Sequence, residues 1–253
     1  MKKKLFSVLF ALVMVLSLSL VTAAPATAQE NKPITPPELK QITFIHYAQP
    51  DFPGKPDRPP GQDKKDKDPP PVDNGYYELL GLYLPGNFDI QVNPAGGPEG
   101  ALYEIEQAFE TWDDVVNTEL FKDEIGTTTV SGVADDSQNT VSWVRIVPRK
   151  IIAMVSIWYL DDNDPETLDK IFEFDIVLNS FLEWGIDPDD EGAFNVQNIM
   201  THEVGHPVGL ADLYEEEYRE LTMYGYSSKG ETQKISLEEG DKVGALAIYK
   251  ATP

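Results

Sequence analysis

The feature that most restricts the fold is His202-Glu203-Val204-Gly205-His206-Pro207-Val208-Gly209-Leu210-Ala211-Asp212, spaced H-E-x-x-H-x-x-G-x-x-D. Histidines four apart project from one side of a helix, because four residues make little more than one turn. Two imidazoles so placed can grip one zinc ion, and Glu203 can reach a water activated at that metal. Gly209 falls where the helix must stop and the chain turn sharply, so that a residue three further on swings back beneath the metal. Asp212 stands there. The spacing predicts a site of His202, His206, Asp212 and a water. A bare H-E-x-x-H also arises by accident in unrelated helices. Here the chain has only three histidines, and two of them sit in this motif.

The N-terminus reads Met1-Lys2-Lys3-Lys4, then an apolar run from Leu5 to Val21, then small residues ending Ala26-Thr27-Ala28. A basic start, a hydrophobic middle and an A-x-A end predict a signal peptide over 1–28 and a secreted, extracellular protein. The run is near the lower limit for a membrane span, and its small-residue ending favours cleavage over a retained anchor. Cleavage there removes three lysines and no acids, taking the formal charge from −23 to −26. So acidic a chain repels nucleic acid and an anionic membrane, and no partner of either kind is expected. There are no cysteines, so an exported chain of this kind relies on its core, and on bound metal, for stability. The remaining 225 residues suffice for one substantial domain, read as a monomer.

Residues 29–75 read as a pro-region or a disordered proline-rich linker. Their one apolar patch is Ile42-Thr43-Phe44-Ile45-His46-Tyr47, expected either to dock as a pro-segment in the cleft or to add a strand. His46 is read as a residue of that patch and not as a ligand. The catalytic domain is expected over 76–253. Strand signals run from Tyr76 to Leu84 and from Asp89 to Val92. Leu102, Ile105, Phe109, Trp112 and Val116, at spacings of three and four, mark one apolar stripe of a helix. Three β-rich stretches follow, Thr140 to Val147, Ile151 to Leu160 and Ile171 to Asn179. Two acidic loops, Asp161 to Glu166 and Asp187 to Glu191, could hold Ca2+ through oxygen ligands, but neither has an EF-hand spacing and both read first as solvated loops. The metal-site helix is expected to start near Asn195, a good cap. Pro207 crowds the carbonyl of Glu203, so a tightened last turn is expected before Gly209.

With these elements the chain resembles the metzincin clan of zinc proteases, and within it the matrixin-like branch, over roughly Gly75 to Tyr249. Beyond the zinc motif, Leu221-Thr222-Met223-Tyr224-Gly225-Tyr226 looks like the clan's Met-turn. Asp241, Gly244, Ile248 and Tyr249 look like its closing helix, with Ser236 and Glu239 spaced as a capping box. The resemblance implies an α+β catalytic domain with a twisted, mostly parallel sheet, an active-site helix, a Met-turn and a C-terminal helix. Asp212 departs from the branch, which usually has histidine there. The histidines for a structural zinc and the cysteine of the latency switch are missing.

The resemblance implies a zinc metalloendopeptidase with one catalytic Zn2+. Glu203 would be the general base, and protein or peptide substrates would lie along the edge strand Ile151 to Leu160. Tyr226, a few residues after Met223, is either an oxyanion helper, as in astacin-like relatives, or a packing residue. Met223 is read as a hydrophobic base and not a ligand. A gluzincin would need a glutamate where Tyr226 stands. The alternative from another class is a secreted binding or adhesion protein on a metalloprotease-like scaffold, which loss of Glu203 or of a histidine would have favoured.

Overall fold

A computed structural model of the chain describes residues 36–49, 76–116 and 118–249. The expected signal peptide and the proline-rich tract over 50–75 lie outside the described residues. In chain order the elements are β1 (Glu38–Ala48), β2 (Leu82–Tyr83), β3 (Ile90–Asn93), α1 (Ala101–Val116), β4 (Gly126–Thr127), β5 (Asn139–Val144), β6 (Ile151–Asp161) and β7 (Asp169–Asn179). There follow β8 (Trp184–Gly185), β9 (Phe194–Asn195), α2 (Val196–Val208), β10 (Tyr226–Ser227) and α3 (Glu239–Tyr249).

The main sheet runs β10-β1-β6-β7-β5-β3-β4, with β2 also beside β7. Only β1·β6 and β6·β7 are antiparallel in it, so the fold is α+β with a mixed, mostly parallel sheet. β5, β6 and β7 are buried along nearly their whole length. Burial on both faces explains why Ile151-Ile152-Ala153-Met154-Val155 is a continuous apolar run and not an alternation. The stripe of α1 buries Ile105, Phe109, Trp112 and Val116 as its spacing predicts. Trp112 ties α1 to α2, its indole N–H donating to the Thr201 carbonyl at 2.8 Å.

Three expectations need correction. The strand expected from Tyr76 to Leu84 shrinks to Leu82–Tyr83 plus a single bridge from Leu79 to Leu210. Gly81, at φ +69°, turns the chain between them, a conformation outside the extended region. The capping box of Ser236 and Glu239 does not form, because α3 starts at Glu239 and Ser236 is extended. Asp241 takes the role instead and accepts the Glu238 N–H at 3.0 Å.

The third correction matters most. Ile151 to Leu160 is not an edge. β1 pairs with β6 from Glu38↔Asp161 to Tyr47↔Ile151, and with β10 on its other side through Tyr47↔Tyr226 and Ala48↔Ser227. The apolar patch is thus the centre of an eleven-residue strand. That strand and the residues after Tyr76 belong to one compact unit. Lys40 and Thr43 add side-chain bonds to Asp161 (2.7 Å) and Ser156 (2.8 Å). The fully buried residues of β1 are Phe44 and His46, two apart and so on one face. Among the described residues, no helix is long and apolar enough to cross a membrane.

Candidate metal centre

The helix that carries the motif is locked at both ends. At its start the Asn195 side chain accepts the Asn198 N–H at 2.9 Å. Pro207 costs one backbone bond, but the helix ends directly after it. Gly209 N–H bonds His206 O at 2.9 Å and Leu210 N–H bonds Gly205 O at 3.0 Å, the pair of closing bonds of a Schellman ending. Gly209 lies at φ +113°, and a Cβ there would sit 2.6 Å from the Leu82 carbonyl oxygen. Only glycine fits. The chain then doubles back, held by Ala211 N–H to Glu78 O and by Leu213 N–H to Met223 O, both 2.8 Å.

This turn brings Asp212 to the two histidines. His202 Nδ1 lies 2.7 Å from Thr222 O, and His206 Nδ1 lies 2.9 Å from Leu210 O. A carbonyl can only accept, so each Nδ1 carries a proton, and the lone pair that a neutral ring offers a metal is on Nε2. Asp212 Oδ1 is 3.2 Å from His202 Nε2 and 3.6 Å from His206 Nε2. Ligand atoms at zinc distances of about 2.0–2.1 Å in a tetrahedron lie about 3.3 Å apart. The three donors fit one ion. His202 Nε2, Asp212 Oδ1 and Glu203 Oε2 are moreover buried polar atoms without a hydrogen bond. Such atoms are costly to bury unless something is to be bound between them.

The electrostatics agree with a metal-ready state. Burial drives the His206 pKa down to about 4, so its imidazole is neutral. Burial alone would raise the Asp212 carboxyl, but the charge of the two histidines when protonated, together with the Tyr214 hydroxyl, outweighs it, so the group titrates below its ordinary value and is ionised where His206 is neutral. Tyr214 Oη donates to Asp212 Oδ2 at 2.9 Å, which leaves Oδ1 for the ion. Burial, and then the Asp212 charge, push the Glu203 carboxyl well above the usual carboxylate range.

Beneath the histidines, Met223 packs against Gly205, where an added Cβ would run into its sulfur. The turn that carries Met223 is fixed from α3, since Asp241 accepts the Thr222 N–H at 3.0 Å and the Met223 N–H at 3.2 Å. Asp241 therefore orients His202 indirectly, through the Thr222 carbonyl. Tyr226 is buried in a cluster with Tyr214 and Tyr224, at ring separations of 5.4 and 5.9 Å, and its backbone pairs with Tyr47. Below β10, the buried Lys234 ammonium donates to Tyr226 O (2.6 Å), Ser227 Oγ and Glu231 Oε1 (2.8 Å). At the first acidic loop, Asp161 at the end of β6, Asp162 after it and Asp169 at the start of β7 gather closely enough to hold an ion.

Sequence reasoning missed three participants. Tyr214 and Lys234 follow no spacing rule. His46, read as a patch residue, sits with Nδ1 2.8 Å from Glu203 Oε1 and its ring 4.0 Å from that of His202. The signal for it was available: two of the three histidines were already assigned to the site. The metal-capable groupings among the described residues are thus His202, His206 and Asp212, with His46, His202 and Glu203 adjoining, besides Asp161, Asp162 and Asp169. A scan against known protein families finds no match, and no curated protein matches the chain significantly.

Proposed function

We propose that the chain is a secreted zinc endopeptidase, similar to the matrixin-like metzincins, with Asp212 as third ligand beside His202 and His206. The observation that carries this reading is the convergence of two Nε2 lone pairs and one carboxylate oxygen, each fixed from behind, next to a buried glutamate. Two imidazoles and one carboxylate are a donor set that suits zinc, whereas calcium and magnesium prefer oxygen alone. When bound, zinc polarises a carbonyl and brings the pKa of a water near neutrality.

The remaining steps belong to the chain. Glu203, whose Oε2 has no hydrogen-bond partner, accepts the proton of the attacking water and delivers it to the leaving amine as the peptide bond breaks. Asp212 stays anionic, and the Thr222 and Leu210 carbonyls keep the two rings in register. A binding or adhesion role on the same scaffold would have no use for a base held in this place. The test is casein hydrolysis by the zinc-loaded protein, as purified and after limited proteolysis, with and without chelator. Glu203→Gln should keep its zinc and lose activity by orders of magnitude. An active Glu203→Gln protein would remove Glu203 as the base, and activity indifferent to chelator would remove the metal.

A further inference from the structure

A site that must admit a peptide is here closed to solvent. His202 and Glu203 are 0% exposed, and His46 and His206 are 1% exposed. The cover is β1. Phe44 stacks on the His206 ring, with centroids 4.2 Å apart and planes at 10°, and His46 lies over His202 while holding Glu203 Oε1. The strand also fills the position along β6 where an extended peptide would add itself to the sheet. β6 contributes its backbone in antiparallel register, and β10 closes the far side in parallel.

β1 differs from the other long strands. β6 and β7 are buried almost throughout, whereas β1 fully buries only Phe44 and His46, and both rest on residues of the metal centre. Leu39, near its start, is 48% exposed. His46 Nε2 is buried without a hydrogen bond, which a strand selected only for sheet stability would avoid. Removing β1 would leave β6·β7 intact and turn β6 into an open edge.

We propose that the groove between β6, α2 and β10 is a peptide-binding cleft, and that β1 is its displaceable occupant, holding the enzyme latent through Phe44 and His46. This rests on the peptidase reading. The chain between Gln49 and Tyr76 keeps the occupant at a high effective concentration, and cutting it converts β1 into a ligand that dilution removes.

The experiment places a unique protease site within residues 50–75 of the zinc-loaded full chain, cuts it, and dilutes. The probe is a fluorescent peptide of residues 36–49. On cutting, the outer-edge amides of β6 should lose protection from hydrogen exchange while those facing β7 keep theirs, and casein hydrolysis should rise. The added peptide should rebind and suppress it. A His46→Ala peptide should bind about 10- to 100-fold more weakly, the loss expected when a buried acceptor is left without its hydrogen bond. A Phe44→Ala peptide should lose at least about tenfold. A strand that stays bound after cutting and dilution, or a domain that unfolds when the strand leaves, would overturn the proposal and make β1 an integral strand. Release and rebinding with no hydrolysis in any form would overturn the peptidase reading and leave the displaceable strand established.

Discussion

Replacing Tyr214 by Phe isolates the least obvious support of the metal centre. The ring is buried in the tyrosine cluster, and Phe keeps nearly the same shape, so packing against Tyr226 should survive. What is lost is one hydroxyl, 2.9 Å from Asp212 Oδ2, with both residues almost fully buried. A buried hydrogen bond to an ionised acceptor is worth about 1.5–3 kcal/mol, and orienting partners of metal ligands typically change affinity by about 10- to 100-fold. The two ranges overlap. Without the hydroxyl, Asp212 can swing Oδ1 away from the 3.2 Å and 3.6 Å positions it holds against the two Nε2 atoms. Zinc affinity measured by competition with a chromogenic chelator should therefore fall about 10- to 100-fold in Tyr214→Phe, with the fold retained by circular dichroism. Asp212→Ala should fall further. An unchanged zinc affinity in Tyr214→Phe would refute the role given to the hydroxyl. If Asp212→Ala were also unchanged, the third ligand would be a different residue.

Two stability predictions follow from the supports around the centre. Gly205→Ala drives a Cβ into the Met223 sulfur and to 2.9 Å from Trp112, so overpacking should cost about 1–3 kcal/mol in urea denaturation; a neutral substitution would mean that this contact yields easily. Lys234→Met leaves Glu231 mostly buried without its cation and should cost about 3–5 kcal/mol at neutral pH. Burial would raise the Glu231 carboxyl, but Lys234 outweighs it and holds the group below its ordinary value. The stability from this pair is therefore complete above the usual carboxylate pKa and is lost as pH falls through the depressed one. The gap between wild type and Lys234→Met should narrow on acidification, and a gap that widened there would contradict the pairing.

The elements legible in the sequence were those with a strong local period or a steric necessity. The α1 stripe, the all-apolar run of β6, the Asn195 cap and the turn at Gly209 each follow from the identity of neighbouring residues. The same holds for His202, His206 and Asp212, which one helix end and one turn bring together. What stayed hidden depends on contacts distant in sequence. His46 and Glu203 are 157 residues apart, and Lys234 finds its partners through the placement of β10. The short apolar patch around Phe44 gave a β-like signal, but nothing local could show that its partner would be the strand expected to receive substrate. Asp241 displaced the expected capping box because its carboxylate also serves the turn at Thr222 and Met223, a demand set by tertiary packing.

The central claim, a catalytic zinc held by His202, His206 and Asp212, is tested most directly by metal stoichiometry. Elemental analysis would be run on protein expressed and purified under zinc-replete conditions. One zinc per chain in the wild type, kept by Glu203→Gln and lost by His202→Ala, is the expected result. Protein free of zinc under those conditions, or zinc retained in full by His202→Ala, would contradict it.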